Sequence, residues 1–153
     1  MAKVGRAARV ASRQRVETIT ADKAITTAET GELYLISGAD VAITLPAAQD
    51  GAYFKFIVSV KVASPAITIA TGAGAGTLAG SSLIATAGGA FTLESNAQAE
   101  LADNHHTFTI ADSGSNNLLA GSAIECFSDG TSWFLLAHLV RDNASVTATF
   151  TGS

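Results

Sequence analysis

Three observations predict an all-β fold, an antiparallel sandwich or barrel of short strands with an extended N-terminal arm. From about residue 17 onward, apolar residues recur with a period of two. The segments that do so are rich in Thr, Val, Ile and Phe, which suit a pleated surface. Turn residues separate them, above all Asp50-Gly51 and Asp129-Gly130, where glycine tolerates the positive φ of a tight turn. No segment after the arm sustains a helical stripe over three turns.

The clearest strand runs from Ala52 to Val62. Phe54, Phe56, Val58, Val60 and Val62 point one way, and Tyr53, Lys55, Ile57, Ser59 and Lys61 the other. A second spans Thr131 to Leu139, with Trp133, Leu135, Ala137 and Leu139 on one side. Its other side carries Phe134, Leu136 and His138, so both faces are expected to be at least partly buried. Shorter strands are expected at 32–37, 41–45, 66–70, 90–94, 107–110, 123–127 and 145–150. Pro46 ends the strand before it. The Gly/Ala/Ser-rich stretches 71–82 and 85–90 read as a long excursion or as lightly packed strands.

Composition sets the scale. The 153 residues suffice for one domain with its own core. Hydrophobic residues make up 48%, but 30 are alanine and aromatics reach only 7%, which predicts a core built largely of small side chains. Charged residues are 14% against about 25% in an ordinary domain, which suggests a surface covered by sister subunits. A single cysteine excludes an internal disulfide and a zinc site of cysteine pairs. The apolar runs are too short for a membrane-spanning helix.

Charge divides the chain into a basic arm, residues 1–23, and an oligomerising body, residues 24–153. Lys3, Arg6, Arg9, Arg13 and Arg15 lie in the first sixteen residues with no acid among them. The rest holds four basic residues against thirteen acidic ones. Such an arm can reach an acidic neighbour, nucleic acid or a membrane surface. It lacks the apolar run of a secretory signal, and the helical face opposite its cations is too weakly apolar for a transit peptide. A docking arm fits better, its arginines pairing with carboxylates on another surface.

Motifs for chemistry are sparse. Gly72, Gly74 and Gly76 give G-x-G-x-G, not the dinucleotide fingerprint, and no Gly-Lys-Ser/Thr follows. Cys126 sits within a strand pattern as a buried small hydrophobe. His105 and His106 are adjacent and face opposite ways on a strand, so they cannot chelate one ion together within one chain. A threefold axis could still multiply one of them. His138, among Leu and Ala, reads as a core or interface histidine. The carboxylates show no suggestive pairing, although Glu29 and Glu32 flank a turn at Gly31. No enzyme activity, metal or cofactor is expected. Nucleic acid is not an expected partner of the body, which is acidic where phosphates demand cations.

Two stretches carry a family resemblance: TITADKAITTAETGELYLISGADVAITLPAAQDGAYFKFIV and GSAIECFSDGTSWFLLAHL. A Thr-rich strand, an apolar strand ending in TLPAA, then G-x-Y-x-F and a late S-D-G-T-x-W strand pair resemble β-rich virion proteins of tailed bacteriophages. Among these the chain is most like capsid decoration, or cement, proteins and head-fibre proteins. The resemblance implies a homotrimer on the capsid exterior, gripping the major capsid protein through the arm and stabilising the assembled shell. It also leaves a head- or tail-fibre protein with a receptor-binding tip. From another class, a small carbohydrate-binding module would stack sugars on Trp133, Tyr34 or Tyr53.

Overall fold

The computed structural model describes residues 14–72, 75–88, 92–112, 116–142 and 145–152. The strands are β1 (Val16–Ile19), β2 (Lys23–Ala24), β3 (Leu33–Ile36), β4 (Asp40–Leu45), β5 (Asp50–Val58), β6 (Val62–Ala63) and β7 (Ala66–Thr71). There follow β8 (Leu78–Thr86), β9 (Thr92–Ala99), β10 (His105–Asp112), β11 (Asn117–Leu118), β12 (Ala123–Asp129), β13 (Trp133–Arg141) and β14 (Val146–Gly152). Helix among the described residues is confined to two single 3-10 turns, Thr27–Glu29 and Leu101–Asp103.

The strands form two sheets. The larger has nine strands in the order β1-β3-β5-β12-β13-β11-β6, with β8 also lying along β13 and β9 beyond β8. The smaller is β14-β10-β7-β4-β2. All-β is the outcome, but the antiparallel expectation holds for only part of it. β1, β3 and β5 run parallel to one another, as do β2, β4 and β7, and β8 runs parallel to β13. The reason is topological. Up to β7 the chain passes back and forth between the sheets, so each circuit lays strands beside those of the previous circuit and in the same direction. The result is a short coil, which the antiparallel strands β10, β12, β13 and β14 then close.

Residues 16–23, placed in the arm by charge, belong with Ala24 to the first circuit of this coil. β1 pairs with β3 and β2 with β4. The expected strand 52–62 is two strands: β5 ends at Val58, Val60 is exposed, and Val62 is buried in β6. The Gly/Ser-rich stretch contains β8, a strand and not an excursion, and it is tightly packed between β13 and β9. Gly80 pairs with Leu135 at such close range that a Cβ there would stand 1.9 Å from the Leu135 carbonyl oxygen. The expected Asp129-Gly130 turn joins β12 to β13, with Gly130 at φ +91°.

The core lies between the sheets. Its largest buried side chains are Trp133, Arg141, Tyr34, Phe54, Phe56 and Phe108, with Ile36, Ile43, Leu45, Ile67 and Ile69. It is thus not built chiefly of small residues: five of the aromatics and a set of Ile, Leu and Val side chains fill it. Tyr34 stacks on Phe56 at 5.3 Å between centroids, and Phe54 lies 5.7 Å from Trp133. Arg141 is buried, donating to Thr86 Oγ1 at 3.0 Å and to the Val146 carbonyl at 2.6 Å.

Candidate functional site

Two features stand out from an ordinary surface: the outer face of the large sheet and an ionic cluster at the open end of the coil. The strand registers build the first. One row across β1, β3, β5, β12, β13 and β8 is Thr18, Leu35, Ile57, Ala123, His138 and Leu83. The next is Val16, Leu33, Lys55, Glu125, Leu136 and Ser81. A third holds Tyr53, Phe127, Phe134 and Ala79.

This face is apolar and open. Val16 is 57% exposed, Leu136 46%, Leu83 42% and Phe127 41%, and Phe127 stacks on Phe134 at 5.4 Å. Its charges cancel internally: Lys55 Nζ donates to Glu125 Oε1 at 2.8 Å, which raises the lysine pKa and lowers the glutamate's. The patch is spread over six strands. The outer face of the small sheet is different. Ala42, Thr68, Thr109 and Thr149 form one row and Thr44, Ala70, Thr107 and Thr151 another, a hydroxyl surface suited to water.

At the other feature, β1 and β3 bring Glu17 opposite Tyr34 on the inward face, and Glu32 precedes β3 by one residue. The turn Thr27–Glu29 returns Glu29 to the same place. Carboxylate oxygens of Glu17, Glu29 and Glu32 lie within 4.8 Å of one another. Lys23 Nζ donates to both oxygens of Glu17 at 2.9 Å and to Glu29 Oε1 at 2.8 Å, and these bonds raise its pKa. Glu29 Oε2 accepts from the Thr26 N–H at 2.6 Å and its hydroxyl at 2.7 Å. Burial pushes the Glu29 carboxyl upward, but Lys23 and Thr26 outweigh it and hold the group at about 2, from 4.5. Sequence reading missed this cluster because its members sit at 17, 29 and 32, a spacing with no period. The Glu29–Glu32 turn was its only visible sign.

The arm residue Arg15 is held by its own chain. Its Nη1 stands 2.8 Å from Glu32 Oε1, an ion pair without hydrogen-bond alignment, the arginine side chain 78% exposed and the glutamate 6%. The Gln14 amide donates to the Gly31 carbonyl at 3.0 Å. Lys3, Arg6, Arg9 and Arg13 lie outside the described residues.

Other candidates are placed plainly. Trp133 and Tyr34 are fully buried, so neither can stack a sugar; only Tyr53 is partly open. His138 is on the exposed face and not in the core of the single chain, and Leu136 beside it is exposed too. His106 Nδ1 lies 3.2 Å from both Thr71 Oγ1 and the Gly76 carbonyl oxygen. His105 approaches Asp103 at 3.9 Å. Cys126 is buried, and burial pushes its thiol pKa up. Of the Gly-rich stretch, Gly74 lies outside the described residues, while Gly76 packs so tightly that a Cβ would meet the Thr131 oxygen at 2.2 Å. Among the described residues no helix is long and apolar enough to cross a membrane. The chain matches no family model, no curated protein and no solved structure.

Proposed function

We propose that this is a structural assembly protein, a homotrimeric decoration protein of a tailed-phage capsid that stabilises the assembled shell. The observation that carries the reading is the outer face of the large sheet. Val16, Leu83, Phe127 and Leu136 stay open in the single chain around one internally neutralised ion pair. Burying such a face against sister copies removes apolar area from water at about 25 cal/mol per Å², and no uncompensated charge opposes it. The trimer and the shell come from the resemblance to phage virion proteins. In this reading the basic arm grips the major capsid protein, and several arms per oligomer bind together through avidity. Binding only the assembled shell then stabilises it by mass action.

Sedimentation equilibrium of the purified protein tests the carrying step. The wild type is expected to be a trimer and the double variant Phe127→Asp, Leu136→Asp a folded monomer. A monomeric wild type at micromolar concentration would refute the oligomer. A truncation of residues 2–13 should stay oligomeric yet fail to co-sediment with expanded shells of the phage that encodes it. Undiminished decoration by the truncated protein would refute the anchoring role.

A further inference from the structure

We infer that acid gates the assembly of this protein through His138: copies meet while its ring is neutral, and its protonation drives them apart. This rests on the proposed burial of the large sheet's outer face against sister copies, and adds the condition under which that burial occurs.

His138 lies exposed on that face. β12 sets Ala123 opposite it and β8 sets Leu83, while Leu136 and Val140 flank it on the same side of β13. The ring thus has apolar neighbours from each strand beside it. A histidine changes charge between about pH 5 and 8. A neutral ring suits a face that closes against another copy, whereas a charged one must first lose its water.

The charged groups nearby do not offset that cost. Glu125 on β12 stands diagonal to His138, about 7–8 Å away for such a pair. Its carboxylate feels the histidine but is already bound, by Lys55 Nζ at 2.8 Å and by the Tyr53 hydroxyl, both from β5. β8 brings Ser81, Leu83 and Ala85 alongside, none of them titratable. Just past β13, Asp142 is about 13 Å along the chain and faces Lys61 at 3.6 Å. Because Lys55 and Glu125 cancel, a neutral His138 leaves the face uncharged and a protonated one leaves it with one positive charge. Every copy repeats that charge, so closing the interface sets like charges together where water is excluded. The proton must leave first. Association then weakens by up to about tenfold per pH unit for each histidine buried, or about a thousandfold for three.

Sedimentation equilibrium at pH 8 and pH 5, the two ends of the histidine range, is the test. Emission from Trp133, buried in the folded chain, reports that the fold survives in acid. Wild type should be oligomeric at pH 8 and monomeric at pH 5. His138→Leu should assemble at pH 5 as well as at pH 8, with His105 and His106 still present as internal controls. His138→Lys, whose charge pH 8 does not remove, should be monomeric at both. A wild type equally oligomeric at both pH values overturns the gate and leaves the oligomer standing. A pH response that persists in His138→Leu, or assembly of His138→Lys at pH 8, overturns the gate as well. A wild type monomeric at pH 8 overturns the oligomer itself, and the gate with it.

Discussion

The Trp133 indole Nε1 donates a 3.1 Å hydrogen bond to the Pro46 carbonyl, across 87 positions of sequence. It ties the first residue of β13 in the large sheet to the end of β4 in the small one. Trp133→Phe removes this bond and part of the volume packed against Phe54. It should lower unfolding stability by about 2–3 kcal/mol. A urea midpoint shifted down at unchanged slope is the expected result, and an unchanged midpoint would show that the link between sheets is dispensable.

Gly80→Ala should be as harmful at a position with almost no side chain. The backbone there has φ +153°, and an added Cβ would run into the Leu135 carbonyl oxygen. Overpacking backbone on backbone leaves no rotamer to relax, so β8 must move off β13 at about 3 kcal/mol. Amide exchange along Leu78–Thr86 should quicken more than exchange in β5 or β7.

Stability should fall in acid, with Glu29 contributing. Its folded pKa of about 2 lies below the ordinary 4.5, so the folded state favours the ionised form. The gain is present in full above the ordinary value and is lost as pH drops toward 2. Because the side chain is 18% exposed and screened by water, the effect is on the order of 1–2 kcal/mol. Urea midpoints measured from pH 6 to pH 2 should decline less steeply in Glu29→Gln than in wild type.

The Cys126 thiol should be inert in the native protein. It is buried on the inward face of β12, and burial disfavours the thiolate that thiol reagents attack. Its labelling rate should equal the rate of global opening and jump at the urea midpoint. Rapid stoichiometric labelling without denaturant would mean that β12 opens locally.

Alternation alone located β4, β5, β7, β12 and β13 within a few residues, because each buries one face and a strand's side chains alternate regardless of its partner. The partners were not legible. Nothing local tells Leu33 to lie parallel between Val16 and Lys55, since that follows from the chain's circuits between sheets. For β8 a strand and an excursion were both left open, because Gly80, Ser81 and Ser82 give no apolar rhythm, although tight backbone approach is what they permit. The open apolar face was half legible. Phe134 and Leu136 opposite Trp133 and Leu135 announced a strand apolar on both sides, but which side the chain would leave open is settled only by the second sheet.

The coil also sets an order of events during synthesis. Leu33 meets Val16, Lys55 meets Leu33 and Ile67 meets Val41, each soon after it emerges from the ribosome. Ile57, by contrast, must wait for Ala123. Until then the open edge of β5 and its phenylalanines are presented to every other nascent chain, a template for wrong pairing. Slow codons between residues 58 and 123 should therefore send more of the protein into aggregates than slow codons before residue 58.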